Sequence, residues 1–310
     1  MRQFLAYLQL CRAANVFTAL ADIFLGFLMT QAAQPGNDSP PWDVFGWLLG
    51  SSACLYTAGM VWNDVFDREV DRRERPERPI PSGRISARST SILGTLLLAG
   101  GFVAAAMAGV QSLIVAAILV ACILAYDGVV KSTPVGPVFM GACRFLNVML
   151  GASAVSVGND VAAAAGQVWA RPQLLVAAAL GTYIAGVTWF AREEADVSRR
   201  GLLGGAFAVV NVGLAGLIGL MVHLPDLHGN HVNIAIVLAL ISATIDRRLL
   251  TAWYDPSAPN VRLAIKTCLL SLVFLDAALV VFFTGQPWYG AAVLTLLIPS
   301  LLLSRVLAMT

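Results

Sequence analysis

The sequence NDVFDREVDRRERPERPIPSG, residues 63–83, follows directly on an apolar run over residues 44–63. It places acids and arginines at close spacing and then continues into three prolines. The chain of 310 residues is 58% hydrophobic and only 12% charged, whereas soluble globular proteins carry about 25% charged residues. The composition therefore predicts an integral membrane protein. The stretch 63–83 marks the point where the chain leaves the membrane after a spanning helix.

Further apolar runs on both sides of this stretch predict a bundle of spans. A transmembrane helix needs about 20 apolar residues, and the sequence contains nine well-supported candidates and a weaker tenth. The candidates are residues 13–32, 44–63, 89–109, 111–126, 135–157, 172–191, 202–222, 231–252, 263–284 and 287–304. We therefore expect an all-α membrane bundle of about nine or ten transmembrane helices, in a single domain over residues 1–310.

The positive charges of the connecting loops predict the orientation of the bundle. Lysines and arginines are concentrated in alternate loops, which are residues 64–88, 127–134, 192–201 and 246–262. Arg171 is the only lysine or arginine in the loops of the opposite side, residues 33–43, 158–171 and 223–230. Because loops rich in lysine and arginine stay in the cytoplasm, we expect the stretch 63–83 to face the cytoplasm from the cytoplasmic membrane.

Several function classes find no support in the sequence. The five cysteines are scattered through apolar segments without a CxxC pair, so we expect neither a disulfide framework nor a zinc site. The sequence contains no P-loop, no Ser-His-Asp set and no nucleic-acid-binding patch. Its arginines lie beside acids and near the membrane surface, where membrane lipid is the expected partner.

Helical geometry predicts that four oxygen-bearing side chains of the stretch share one face. On an ideal helix each residue advances by about 100° around the axis. With Asn63 placed at 0°, Asp67 lies at about 40°, Asp71 at about 80° and Asp64 at about 100°. Carboxylates held this close repel each other unless a cation lies between them. A hard divalent cation suits such oxygen ligands, and Mg²⁺ is the usual one where phosphates supply the remaining ligands.

Arginines follow the acids and point to a phosphate as the other ligand. They are Arg68, Arg72, Arg75 and Arg78. Pro76, Pro79 and Pro81 interrupt the helix, and we expect a loop that folds back over the acidic face. The guanidinium fork suits diphosphate oxygens. The alternative is a solvated loop that merely follows the cytoplasmic bias of positive charge.

These residues carry a resemblance to a known family. NDVFDREVD is an NDxxDxxxD motif, and RPIPSG behind it is similar to the segment RP(L/I)xSG. Together they resemble the UbiA superfamily of intramembrane prenyltransferases. The resemblance implies a helical bundle with a cytoplasm-facing cavity, in which Mg²⁺ binds a polyprenyl diphosphate. It also implies that Asn63, Asp67 and Asp71 ligate the metal with Asp64 beside them, and that Asp67 and Asp71 are catalytic. Arg72, Arg75 and Arg78 would bind the diphosphate.

The family's second aspartate motif is altered in this chain. Four spans on, FAREEADVSRRG (residues 190–201) lies where the family usually has DxxxD. Asp196 matches the second aspartate, but Arg192 occupies the first position. Glu193 can replace the missing ligand, or Arg192 can contact the diphosphate directly in a catalytic role. A third alternative is that catalysis has been lost, which would leave a lipid-binding or export protein on this scaffold.

Other polar residues match family positions nearer the substrates. Lys131, in AYDGVVKSTPVG (residues 125–136), resembles a catalytic lysine that approaches the diphosphate, although a membrane-surface anchor is an equal alternative. Arg12 and Asn15 resemble a first-helix pair that faces the acceptor. The resemblance then implies transfer of the isoprenyl group to an unidentified small-molecule acceptor, aromatic or lipid, through an allylic cation shielded from water.

Buried ionisable residues in the predicted spans leave two interpretations open. Arg144 and Asn147 lie one turn apart in the fifth span and can bind or orient the acceptor. Alternatively, Arg144 pairs with Asp22 or Asp276 in a structural ion pair, since intramembrane charges usually face the bundle interior with a partner.

Overall fold

The computed structural model describes residues 2–33, 40–154, 168–193, 199–224 and 230–308, together with residues 166 and 228. Within these ranges every regular element is helical, and the α-helices are α1 (Arg2–Leu10), α2 (Val16–Ala32), α3 (Trp42–Phe66), α4 (Arg68–Glu74), α5 (Ala87–Ala108), α6 (Val110–Ala125), α7 (Gly136–Ala152), α8 (Arg171–Phe190), α9 (Arg200–His223), α10 (His231–Tyr254), α11 (Ala258–Thr284), α12 (Pro287–Thr295) and α13 (Leu297–Ala308). Short turns of 3₁₀-helix cover Ala13–Asn15 and Ala191–Glu193, and a π-helical turn covers Tyr126–Val130.

Eight helices in the described residues are long and apolar enough to cross a membrane. They are Ala13–Ala32, Trp42–Phe66, Ala87–Ala108, Val110–Val130, Arg171–Phe190, Arg200–His223, Ala258–Thr284 and Pro287–Val306. The two remaining predicted spans correspond to α7, which is shorter, and to α10, which carries the consecutive charges Asp246, Arg247 and Arg248. The prediction of an all-α membrane bundle is confirmed, and the predicted number of spans agrees approximately.

Two tight connections separate helices that follow each other closely in the sequence. Gly109, between α5 and α6, has φ 139°, and Gly285, between α11 and α12, has φ 66°. Residues with a side chain rarely adopt these backbone angles. Glycine therefore allows the chain to reverse between spans within one or two residues.

Helix α2 lies at the centre of the bundle and packs against α3, α7 and α11. It approaches α7 closely, because glycines on both helices face each other's backbone. A Cβ atom on Gly26 would lie 2.2 Å from the carbonyl oxygen of Val148, and one on Gly151 would lie 2.8 Å from that of Ile23. Small residues let membrane helices approach this closely and gain van der Waals contact.

Substituting Gly26 with alanine should force α2 and α7 apart. Overpacking of this kind costs about 1–3 kcal/mol or more when the obstacle is backbone. We expect a lower unfolding temperature for Gly26→Ala in detergent micelles. Gly46→Ala in α3 is the matched control, because no atom lies within 4 Å of the added Cβ. Equal unfolding temperatures for the two variants would contradict this account of the α2–α7 contact.

Candidate active site

The four oxygen-bearing residues of the NDxxDxxxD stretch lie on one helical path. The backbone N–H of Asp67 donates to the Asn63 carbonyl at 2.9 Å, and that of Asp71 donates to the Asp67 carbonyl at 2.8 Å. The break between α3 and α4 therefore leaves the helical register intact. Asn63, Asp64 and Asp71 are buried and Asp67 is half-buried. We call these four residues the acidic face.

The loop after α4 folds back onto the acidic face, as the prolines predict. Its residue Arg78 donates from Nη1 to Asp71 Oδ2 at 2.6 Å and lies 3.5 Å from Asp64 Oδ1. Ser86 then caps α5, its hydroxyl accepting from the Ser89 N–H. One guanidinium thus joins two carboxylates that are seven residues apart in the sequence.

Arg12 reaches the same face from the N-terminal segment. Among the described residues other than glycine, only Arg12 has a positive φ, at 43°, a conformation that non-glycine residues rarely adopt. Its Nη2 lies 3.4 Å from Asn63 Oδ1 and 3.6 Å from Asp64 Oδ1.

Burial raises the pKa of the neighbouring Cys11 thiol, and the Asp64 carboxylate raises this pKa further. Cys11 is therefore held as a neutral thiol.

The segment after α6 supplies two further contacts. Lys131 forms an ion pair with Asp67. Asp127 Oδ1 accepts from Asn63 Nδ2 at 2.8 Å. Sequence reasoning missed Asp127 as a site residue, although it precedes Lys131 by four residues, which is the spacing of two side chains on one helical face.

Arg192 docks the end of α8 onto the loop that carries Lys131. Its Nη2 donates to the carbonyls of Ser132 at 3.1 Å and Thr133 at 2.6 Å. The side chain of Glu193, and Asp196 as a whole, lie outside the described residues, so their predicted metal-ligand role stays a prediction. The direct diphosphate contact predicted for Arg192 also stays a prediction.

The other two predicted diphosphate ligands lie in α4 and directly after its end. Arg72 donates from Nη1 to Glu69 Oε2 at 3.0 Å, and both side chains are largely exposed. The Arg75 N–H donates to the Asp71 carbonyl at 2.8 Å and ends the helix. Arg72 is thus directed toward Glu69, whereas Arg78 contacts the acidic face.

Comparison with known families identifies the fold to which this site belongs. A sequence model of the UbiA prenyltransferase family matches residues 23–262. The chain belongs to the UbiA prenyltransferase family. The resemblance seen in the sequence motifs is confirmed.

Archaeal relatives share part of this UbiA-family chain. The digeranylgeranylglyceryl phosphate synthase of Halobacterium salinarum is 33% identical over 175 residues, which are 56% of this chain and 58% of the relative. The enzyme of that name from Methanothrix thermoacetophila is 34% identical over 129 residues, 41% of this chain and 46% of the relative. The chain thus spans about half the length of the curated relatives that it matches.

Solved structures share the fold. A UbiA homologue from Aeropyrum pernix has a TM-score of 0.70 at 20% identity, covering 86% of this chain and 97% of the homologue. A UbiA homologue from Archaeoglobus fulgidus, bound to DMAPP and Mg²⁺, has a TM-score of 0.61 at 17% identity, covering 93% and 99%.

The UbiA-family bundle also contains an ion pair inside its core. Arg144 Nη1 donates to Asp22 Oδ2 at 2.6 Å, and Asn147 Nδ2 donates to the same oxygen at 2.8 Å. Asn147 in turn accepts from the Ser52 hydroxyl at 2.7 Å, and Asp276 lies beside Asp22. The sequence leaves two interpretations of Arg144 open, and the structure contains the ion pair with Asp22 that one of them predicts. The acceptor role of Arg144 and Asn147 stays a prediction.

The acidic face of this UbiA-family protein has donors of the type that Mg²⁺ takes. All its side chains offer carboxylate or amide oxygens. In the described residues, no three carboxylates lie close enough together to hold a metal ion as they stand. Cations occupy their oxygens: Arg12, Arg78 and Lys131. The donor set is suitable for a divalent metal ion. Such an ion would bind once these cations have turned to another anion.

Proposed function

We propose that this protein is a membrane prenyltransferase. It transfers an isoprenyl group from a polyprenyl diphosphate to a small-molecule acceptor, aromatic or lipid, with Mg²⁺ at the acidic face. The observation that carries the proposal is the acidic face with three cations from three separate segments directed onto it. Such a site can accept a metal ion and a diphosphate together, because its carboxylates can ligate the metal ion and its cations can bind the diphosphate.

The acidic face would hold the metal through Asn63, Asp64, Asp67 and Asp71. Glu193 and Asp196 of the altered second motif are candidates for further ligands. Bound Mg²⁺ supplies Lewis-acid stabilisation of the charge that develops on the leaving diphosphate.

The cations around the face would exchange carboxylate partners for diphosphate oxygens. Arg78 and Lys131 lie nearest to the carboxylates and would neutralise the leaving group. Arg75 and Arg72 can approach from α4, and Arg192 holds the loop of Lys131 in place. As the carbon–oxygen bond of the substrate ionises, these cations stabilise the negative charge without a protein nucleophile.

The acceptor would enter beside the start of the first membrane span, Ala13–Ala32. Asn15 lies three residues beyond Arg12, which already contacts the acidic face. Apolar side chains of the bundle keep water away from the allylic cation, which favours attack by an electron-rich acceptor.

The orientation and the comparisons support the same proposal. Lys131, from another of the loops that carry the lysines and arginines, contacts the acidic face, and Arg192 contacts the loop that carries Lys131. Because such loops stay in the cytoplasm, the site would lie at the cytoplasmic surface of the cytoplasmic membrane. The archaeal relatives carry the name digeranylgeranylglyceryl phosphate synthase, and the Archaeoglobus homologue binds DMAPP and Mg²⁺. Both fit a substrate that is an isoprenyl diphosphate.

A second candidate function is that of a lipid-binding or export protein without catalysis. The observation that favours it is Arg192, which lies where the family motif has an aspartate and which donates to backbone carbonyls. Binding of an isoprenyl diphosphate is common to both candidates, so turnover separates them.

Purified protein in detergent, supplied with Mg²⁺ and geranylgeranyl diphosphate, should release pyrophosphate when a suitable acceptor is added. Candidate acceptors include aromatic acids, quinone precursors and glycerol lipids, and the prenylated product is detected by mass spectrometry. Chelation of the metal by EDTA should abolish the reaction. Tight diphosphate binding without turnover, across all acceptor classes, would favour the second candidate.

A further inference from the structure

Two carboxyl groups that the proposed reaction does not use lie side by side inside the bundle. Asp22 of α2 and Asp276 of α11 are both 0% exposed, and Asp276 lies within hydrogen-bonding reach of Asp22. Each residue lies more than about 10 Å from the nearer end of its candidate span, at 1.5 Å per residue. We call these two residues the carboxyl pair. It occupies a region where ionised groups are costly and usually have a partner.

The oxygens of the carboxyl pair differ in their contacts. Oδ2 of Asp22 accepts from Arg144 Nη1 at 2.6 Å and from Asn147 Nδ2 at 2.8 Å. Oδ1 of Asp22 has no hydrogen-bond partner among the described residues, and the same holds for both oxygens of Asp276. Buried polar atoms rarely lack a partner, because their desolvation costs about 1–3 kcal/mol, and more for charged groups. Three such oxygens at one place therefore indicate a ligand that supplies the missing contact.

Hydroxyl donors near the carboxyl pair have other partners. The Ser52 hydroxyl donates to Asn147 Oδ1 at 2.7 Å. Tyr183, which lies near Arg144, donates from its hydroxyl to the Cys268 carbonyl at 2.9 Å. The part of the chain that the structure describes therefore offers no donor to the three unpartnered oxygens.

The charges around the carboxyl pair do not balance if both acids are ionised. Arg144 of α7 lies beside them. Tyr56 of α3 and Tyr183 of α8 face the same guanidinium, and tyrosine is uncharged at neutral pH. Helix α12 contains no charged residue, and Asp246 of α10 is bonded to Asn211 instead. Two carboxylates and one guanidinium would leave one uncompensated negative charge, whereas one bound proton makes the group neutral.

We propose that the carboxyl pair is an intramembrane proton-binding site. The proton resides on Asp276, and the resulting O–H group donates to Asp22 Oδ1. Asp22 stays ionised, because the donors Arg144 and Asn147 on its Oδ2 favour the charged form. A divalent metal ion would require about six oxygen ligands, whereas the carboxyl pair offers three unpartnered ones. The site is independent of the proposed function, since it binds its proton with or without a substrate.

The proton would connect three helices in the core. Arg144 of α7 already holds Asp22 of α2, and the O–H group of Asp276 would add α11 to this contact. Loss of the proton would place two adjacent carboxylates on α2 and α11, which repel each other. The bound proton therefore stabilises the packing of α11 against α2.

Infrared spectroscopy of the full chain, in a detergent without ester carbonyls, tests the inference. A protonated carboxyl group absorbs at a higher frequency than a carboxylate, and its band moves to lower frequency in D₂O. The natural protein at neutral pH should show this band, and Asp276→Asn should lose it. The asparagine amide can donate to Asp22 Oδ1 as the acid would, so the variant should fold and unfold at a similar temperature.

Asp246→Asn is the matched control for the infrared band. Asp246 is an acid of α10 whose Oδ1 accepts from Asn211 Nδ2 at 3.0 Å, so it already has the donor that the carboxyl pair lacks. Its substitution should leave the band unchanged. Labelling of the aspartate carboxyl carbons with ¹³C should shift the band in the natural protein, which assigns it to aspartate even if a variant fails to fold.

The unfolding temperature in NaCl and in choline chloride separates a proton from a metal cation. The natural protein should unfold at the same temperature in both salts. A higher unfolding temperature in NaCl for the natural protein, but not for Asp276→Asn, would show a bound sodium ion and overturn the inference. Absence of the protonated-carboxyl band from the natural protein, or its persistence in Asp276→Asn, would overturn it as well.

Discussion

Replacing Asp67 with asparagine should lower the rate of pyrophosphate release by a factor on the order of 1,000. The carboxylate is a proposed metal ligand and the ion-pair partner of Lys131. Metal-ion stabilisation of a developing charge amounts to several kcal/mol, and each 1.36 kcal/mol is a factor of about ten in rate. Asparagine keeps the shape of the side chain, so the helical path through α3 and α4 should persist.

The matched control for this prediction is Glu74→Gln. Glu74 is the last residue of α4, the short helix that begins directly after Asp67, and it is exposed and lies outside the acidic face. Its substitution should leave both the rate and the unfolding temperature unchanged. A rate for Asp67→Asn within about tenfold of the natural protein, or 1.36 kcal/mol, would contradict the metal-ligand role of Asp67.

Replacing Arg144 with methionine should destabilise the protein by about 3–5 kcal/mol, the cost of breaking a buried ion pair. The substitution leaves the Asp22 carboxylate fully buried, beside Asp276 and without its guanidinium partner. Thermal and chemical unfolding in detergent micelles measure the loss. The experiment also decides between the two interpretations that the sequence leaves open for Arg144.

The double variant Asp22→Asn/Arg144→Met completes the thermodynamic cycle. Removal of both charges should restore much of the lost stability, because an apolar or neutral pair costs less to bury than an isolated charge. An unfolding temperature unchanged in Arg144→Met, together with a raised KM for the acceptor, would show that Arg144 orients the acceptor instead.

The acidic face could be predicted because its geometry is local. Asn63 and Asp71 are eight residues apart, and the helical repeat alone places them on one side. The return of Arg78 was predictable for a similar reason, since the prolines that follow α4 prevent the helix from continuing. The spans were predictable from hydropathy, because a membrane requires apolar helices of a defined length.

The other contacts of the site depend on packing between distant segments. Asp127 meets Asn63 across 64 residues of sequence, and Arg12 meets it across 51. Such contacts require the relative positions of α3, the turn after α6 and the N-terminal segment. The left-handed backbone of Arg12 adds a conformation that residue type does not predict. The choice of Asp22 over Asp276 as the partner of Arg144 likewise follows from the packing of α2 against α7.

The most direct test of the account is whether metal and diphosphate bind the acidic face together. Mn²⁺ can replace Mg²⁺ as a paramagnetic probe, and pulsed electron paramagnetic resonance detects phosphorus nuclei near the bound ion. With geranylgeranyl diphosphate present, the natural protein should bind Mn²⁺ with a clear phosphorus coupling, and Asp71→Asn should lose it. Equally tight diphosphate binding after removal of all divalent metal, or bound Mn²⁺ without phosphorus coupling, would contradict the account.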